Sequence, residues 1–205
     1  MYYFYTLLML LLTKSNAETG IVTFYSNLNN ACQYDPSLYE NFLKVAISGT
    51  QWNNSISCGT CLNIQGIGTG IGTIPFLLNT KAIVTNLCSE CEYGHYDLLL
   101  DGNGIWDINY EVTQCDDLGS LKYRSDSELY FFKVQFINTK TPITSFYLDG
   151  RLCEKTFDNF WVHHDPTQLG GDIFTFPLNV NFVTQDGSEY YGTIYDNKFY
   201  TDFFG

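Results

Sequence analysis

Val84-Thr85-Asn86-Leu87-Cys88-Ser89-Glu90-Cys91-Glu92-Tyr93-Gly94-His95-Tyr96-Asp97-Leu98 is the stretch on which the reading of this chain turns. It opens as an apolar strand, tightens into a Cys-x-x-Cys loop and passes a glycine. It then sets one carboxylate, Asp97, between aromatic and aliphatic neighbours. Carboxylates in such settings are often tuned to act as acids. Hydrolysis of a glycosidic bond usually needs two carboxylates facing that bond. Whether Asp97 has a partner therefore decides between cutting a polysaccharide and only gripping and deforming it.

Outward from this stretch, the N-terminus carries an apolar run centred on Leu7–Leu12, followed by Ser15-Asn16-Ala17. This is the pattern of a secretory signal peptide over residues 1–17, although the expected basic residue ahead of the apolar run is missing. The run is short for a membrane span, and no later segment reaches about 18 apolar residues. A secreted, extracellular protein with no membrane span after cleavage is expected. The formal net charge of −12 argues against nucleic acid, anionic membrane or acidic polysaccharide as the main partner. It tolerates an uncharged glucan.

Seven cysteines follow the leader: Cys32, Cys58, Cys61, Cys88, Cys91, Cys115 and Cys153. In an oxidising compartment they read as disulfides, with Cys153 standing apart and the odd count leaving a free or intermolecular thiol. The pairs Cys58/Cys61 and Cys88/Cys91 could instead form a four-cysteine zinc site. The gap between those pairs exceeds usual zinc-ribbon spacing, and Cys32 and Cys115 would be left over. Disulfides are the better reading, and no metal is expected. Asn53-Asn54-Ser55 is a glycosylation sequon in a polar stretch, with Asn53 as the acceptor.

The chain reads as all-β. Short apolar or alternating runs recur at Ile21–Tyr25, Cys61–Gln65, Lys81–Thr85, Tyr110–Thr113, Leu129–Ile137, Thr144–Leu148, Ile173–Phe176, Asn179–Val183 and Tyr190–Tyr195. Turns are expected at Gly66 to Gly72, Asp101 to Gly104, Asp149-Gly150, Gly170-Gly171 and Asp186-Gly187. Ser37–Val45 carries a weak helical signal, and its neighbour Leu43–Ser48 reads as easily as a strand. Strands this short and regular point to barrels or sandwiches. A boundary falls near Cys115–Gly119, which divides the chain into residues 18–116 and 117–205 with a short junction.

Seven pieces stand in order: Val22-Thr23-Phe24-Tyr25, Asn30-Ala31-Cys32-Gln33-Tyr34, Val45-Ala46-Ile47-Ser48, Ser57-Cys58-Gly59-Thr60-Cys61, Ile83 to Cys88, Gly94-His95-Tyr96-Asp97-Leu98 and Tyr110 to Cys115. Together they resemble the expansin and expansin-like family. Beyond the boundary, Tyr130 to Asn138 and Thr141-Pro142-Ile143 resemble the opening of that family's second domain. The resemblance implies a six-stranded double-psi β-barrel over 18–116, followed by an immunoglobulin-like β-sandwich over 117–205. The first domain is shared with a family of endoglucanases, and the second binds cellulose. The resemblance also implies the pairings Cys32–Cys58 and Cys61–Cys115, which leaves Cys88 to pair with Cys91.

By the same resemblance, Asp97 holds the place of the aspartate in a His-Phe-Asp motif, here His95-Tyr96-Asp97. In the related endoglucanases it serves as general acid. Their base lies in a Thr-x-Tyr-x-Asp motif, which here reads Thr23-Phe24-Tyr25-Ser26-Asn27. Asn27 stands where the base would be, and an amide cannot take a proton from water at neutral pH. Asn86 stands where some relatives carry a second aspartate. The implied site is Asp97 with Thr23, Tyr25 and Asn86: one carboxylate, hydrogen-bonding groups and no matched base. His95 reads as structural. The second domain would contribute surface aromatics at Tyr130, Phe131 and Phe157, with Trp161 a nearby substitute. Such rings offer contact area at low entropic cost.

The reading is a secreted, monomeric, cofactor-free protein. It would bind cellulose or another neutral cell-wall glucan and loosen it without hydrolysis. One alternative is a weak glycoside hydrolase or lytic transglycosylase using Asp97 as acid, with Asp35, Glu92 or Asp101 as the possible second carboxylate. Another is a barwin-type carbohydrate-binding matrix protein without loosening activity.

Overall fold

The computed structural model describes residues 17–28, 30–116, 118–164 and 174–204. The expected leader lies outside them apart from Ala17, and so does Ile173. Six strands close into a barrel: β1 (Glu18–Tyr25), β2 (Leu43–Ser48), β3 (Cys61–Ile71), β4 (Asn79–Cys88), β5 (His95–Leu99) and β6 (Ile105–Thr113). Their spatial order is β1-β5-β2-β4-β3-β6. β1 runs parallel to β5 and β2 parallel to β4, and the other neighbours are antiparallel. Closure leaves no unpaired sheet edge.

The period-two pattern is plain on β6, where Trp106, Ile108 and Tyr110 are buried while Asp107 and Asn109 are half-exposed. The inward residues meet Val22, Val45, Ile47, Leu62, Ile64, Val84 and Leu98 in one core. A single short helix among the described residues, α1 (Gly49–Trp52), follows β2 and is capped by Ser48, whose Oγ accepts from Gln51 N at 3.3 Å. The weak helical signal over Ser37–Val45 resolves into turns, and Leu43–Ser48 is the strand that its sequence allows. One expectation is corrected here. The glycine run Gly66 to Gly72 is mostly strand. β3 continues to Ile71 with a register shift between Gly66 and Gly70. A Cβ at Gly70 would sit 2.2 Å from the Ile105 carbonyl oxygen, so glycine there serves close strand approach.

The remaining strands are β7 (Lys122–Ser125), β8 (Phe131–Ile137), β9 (Ile143–Leu148), β10 (Arg151–Leu152), β11 (Glu154–Lys155), β12 (Trp161–His164), β13 (Leu178–Thr184), β14 (Glu189–Ile194) and β15 (Thr201–Asp202). They form a four-stranded sheet, β10-β9-β13-β14, and a five-stranded sheet, β11-β12-β8-β7-β15. The core these strands share is aromatic. Trp161, Phe146, Phe182 and Tyr190 form a stacked column, with successive ring centroids 5.9, 6.3 and 4.9 Å apart. No strand forms over the described part of Ile173–Phe176.

Three disulfides join Cys32–Cys58, Cys61–Cys115 and Cys88–Cys91, the pairs that the resemblance implies. Cys153 is a free, buried thiol, and burial pushes its pKa up to about 12. The barrel and the two sheets meet through a buried polar joint. The Cys32 carbonyl oxygen accepts from Gln135 Nε2 at 2.8 Å and from Asn159 Nδ2 at 3.1 Å. Gln135 is fully buried, and its Oε1 accepts from the Tyr200 hydroxyl at 2.8 Å. Ser55 donates to the Thr156 carbonyl at 2.7 Å and Arg124 to that of Gln33 at 2.7 Å. No helix of the described residues is long and apolar enough to cross a membrane.

Candidate functional site

The outward-facing residues of β1 and β5 build the site. Parallel pairing sets Thr23 opposite Asp97 and Ile21 opposite His95. The inward neighbours Val22, Tyr96 and Leu98 anchor both strands in the core. β1 can approach the turn before β5 because residue 20 is glycine: a Cβ there would lie 2.3 Å from the Gly94 carbonyl oxygen. That carbonyl accepts from Ile21 N at 3.0 Å, which fixes the register of the two strands.

The Thr23 hydroxyl donates to Asp97 Oδ1 at 2.6 Å and lies 2.8 Å from His95 Nε2. A hydroxyl has one hydrogen. With that hydrogen on Asp97, the Thr23 oxygen accepts from a protonated Nε2, giving a directional chain His95→Thr23→Asp97. His95, which the sequence reads as structural, thus touches the Thr23 hydroxyl of the candidate site. The period-two rule could have found it, since residues 95 and 97 of one strand share a face.

On the other side, Asp97 pairs with Ala46 of β2, and Ala46 pairs with Asn86 of β4. The small Ala46 side chain between them is buried under Tyr25. Asn86 Oδ1 accepts from Ala31 N at 2.8 Å, which ties the amide to the loop before Cys32. Tyr25 packs against Ala46, Cys88 and Cys91, so the Cys88–Cys91 disulfide buttresses the tyrosine. Burial raises the Tyr25 pKa above its ordinary value. Hydrogen bonding to Asn86 opposes this, and the negative charge of Asp97 adds to it. The tyrosine is therefore a neutral hydroxyl at physiological pH. Thr23, Tyr25, Asn86 and Asp97 come together on one face, with His95 beside them.

The strands flanking β5 place no second carboxylate opposite Asp97: its partners are Thr23 and Ala46. Asp107 of β6 pairs with Ile21, which pairs with His95. Two strand spacings and a two-residue offset put its Cα roughly 12 Å from that of Asp97. Its carboxylate accepts from Thr69 of β3 at 2.6 Å, on the side of β6 away from β1. Asp35 is held by the Ser37 hydroxyl and backbone N–H at 2.6 and 2.9 Å, which lowers its pKa. Four of the cysteines once readable as a zinc set, Cys58, Cys61, Cys88 and Cys91, are all in disulfides.

The aromatic residues expected on the sheets fare differently. Tyr130 and Phe157 are 47% and 58% exposed. Phe131 is half-buried and points outward from β8, opposite in sense to buried Phe132. The Phe157 ring lies 5.9 Å from Trp52 of α1, at the barrel. Trp161 is corrected: it is 3% exposed, stacked on Phe146, and offers no ring face to a ligand. Its side chain faces the core because β12 pairs Trp161 with inward-facing Val134 of β8. Tyr93, 68% exposed in the turn before β5, is an exposed aromatic that the sequence reading did not single out. Asn53 of the sequon is exposed, while the Ser55 hydroxyl is buried.

No family model and no curated protein matches the chain. Solved structures do. The crystal structure of apo Clavibacter michiganensis expansin superposes with a TM-score of 0.69 at 22% identity, covering 87% of this chain and 90% of that one. A single-residue variant of the same expansin in complex with cellohexaose superposes with a TM-score of 0.69 at 23% identity and the same coverage. An all-β chain with a closed barrel, two further sheets and this coverage has the fold of the Clavibacter expansin.

Proposed function

We propose that the protein binds cellulose or a related neutral glucan and loosens it by disrupting contacts between chains, without hydrolysis. The observation that carries this reading is the hydrogen-bonded chain His95–Thr23–Asp97, which shares a face with the Asn86 amide and has no carboxylate opposite Asp97 on the flanking strands. Such a site offers a sugar hydroxyl a fixed acceptor at Asp97 and the hydroxyl of Tyr25. The strands flanking Asp97 supply neither the base that an inverting glycosidase uses to activate water nor the nucleophile that a retaining one uses to form its glycosyl intermediate.

Binding would be shared between the two halves of the chain. The barrel supports the double-psi reading through its two parallel pairs, β1–β5 and β2–β4. The two packed sheets, read as an immunoglobulin-like sandwich over 117–205, would add Tyr130, Phe131 and Phe157 as stacking surfaces. The buried joint at Cys32, Gln135 and Asn159 would hold the halves in one orientation. That the similar expansin variant is in complex with cellohexaose supports a cellulose-like ligand. Secretion, use of Asn53 for glycosylation and a monomeric state belong to this reading.

The test is depletion of the purified protein by insoluble cellulose, with reducing ends assayed in the same tubes. Retention without new reducing ends, weakened by Tyr130→Ala, supports the reading. Release of reducing ends that disappears in Asp97→Asn would replace it with hydrolysis.

A further inference from the structure

A second site lies on the outer face of the five-stranded sheet. A cavity of about 420 Å³ is lined by Arg124, Lys133 and Lys198 together with Phe160, Phe199 and Asp126. Arg124 and Lys133 reach it because they are the outward residues of β7 and β8, alternating with buried Tyr123, Phe132 and Val134. The whole chain has 10 Lys and Arg against 22 Asp and Glu, and three of those cations converge here against one lining carboxylate, Asp126. Such a gathering runs against the charge of the molecule.

The cations are only partly neutralised, and the charge of Asp35 acts on Arg124. Lys133 Nζ sits 4.1 Å and Arg124 Cζ 4.6 Å from the centroid of the same Phe160 ring, so the two heads repel one another. Among the described residues, neither forms an ion pair with a carboxylate; Lys198 pairs with Asp196 at 3.1 Å, half-exposed. Arg124 spends Nη2 on the Gln33 carbonyl at 2.7 Å, while its buried Nε has no hydrogen-bond partner. At the rim, Phe199 is 66% exposed and its ring centroid lies 4.7 Å from that of Tyr200.

We propose that this pocket binds a carboxylate-bearing sugar, a uronate unit. The Phe199 ring would stack on the apolar face of the sugar. Arg124 and Lys133 would hold its carboxylate, the pairing in which a guanidinium is strongest. The net charge of −12 repels a polyanion as a whole. The fitting ligand is therefore short or sparsely charged, a few uronate units rather than a long polyanion. This site is independent of Asp97, and it lies on the same sheet face as Phe131, between that ring and the Gln135 joint with the barrel.

The test is calorimetric titration of the full chain with a short oligouronate, a neutral cello-oligosaccharide of equal length and inorganic sulfate. The oligouronate is expected to bind, to weaken with added salt, and to lose roughly fivefold or more in affinity in Lys133→Gln, Lys198→Gln and Phe199→Ser. Asp97→Asn should leave it unchanged. Thermal unfolding of each variant checks that the fold survives. Absence of oligouronate binding, or binding untouched in all three pocket variants, overturns the proposal. Sulfate binding as tight as the oligouronate and insensitive to Phe199→Ser also overturns it, since the pocket would then hold any anion.

Discussion

Thr23 and Asp97 are register partners across the parallel pair β1–β5, and their side chains meet at 2.6 Å. The contact couples the opening strand of the barrel to the one carboxylate of the candidate site. It also commits the hydroxyl hydrogen, so that His95 must approach Thr23 as a donor. Thr23→Val keeps the shape and removes the hydroxyl. It leaves Asp97 and His95 each short of a partner, a loss of roughly 1–3 kcal/mol where the groups are buried, less in this half-exposed setting. Glucan retention should fall by several-fold in Thr23→Val and recover in Thr23→Ser. Equal retention by both variants would show that the hydroxyl does not shape the site.

The joint between barrel and sheets gives a second expectation. Gln135 is fully buried and links the Cys32 carbonyl to the Tyr200 hydroxyl. Gln135→Leu leaves the Tyr200 hydroxyl without its acceptor and takes one of two donors from Cys32. Stability measured by urea unfolding should drop by roughly 1–3 kcal/mol. An unchanged midpoint would mean that the joint adds nothing to stability.

Much of this architecture is legible in the chain because closed and packed sheets write a period of two into sequence. β6 and β8 alternate cleanly, and Thr23, Tyr25, His95 and Asp97 follow the same rule onto one outward face. What stayed hidden depended on partners distant in sequence. Gly66 to Gly72 reads as a turn, because sequence does not reveal that Ile105 and Trp106 press against it. Trp161 reads as a surface aromatic until its pairing with Val134 shows which way it points. Phe199 and Arg124 become a pocket only when β7 and β8 lie beside the loop that follows β14.

The disulfides differ in what they contribute. Cys61–Cys115 spans 54 residues and Cys88–Cys91 spans 3. In the chain-entropy model, removing the first costs about 4 kcal/mol and removing the second roughly 1–2. The Cys88→Ala/Cys91→Ala double variant should therefore stay folded yet loosen Tyr25, which packs on that pair. Its glucan retention should fall while the unfolding temperature drops by only about 2–8 °C. A large fall in stability would show the short bridge to be a structural staple instead.

Lys155 gives a pH signature. Desolvation by burial lowers its pKa to about 7, only partly opposed by Asp158, while Nζ donates to Asn159 Oδ1 at 2.7 Å. The folded state holds this proton less tightly than the unfolded chain does. The unfolded state therefore binds more protons between pH 7 and the ordinary lysine range, and stability rises with pH across that window. Lys155→Met should flatten the rise in a series of unfolding midpoints at stepped pH. The same slope in the variant would assign the rise to other groups.

The proposed activity is mechanical action without bond cleavage. Strips of cellulose paper under constant load, with reducing ends measured in the bathing solution, test it directly. The protein should extend or weaken the strip with no rise in reducing ends, and Asp97→Asn should abolish the extension. Reducing ends appearing in step with the weakening, and lost with Asp97→Asn, would contradict it.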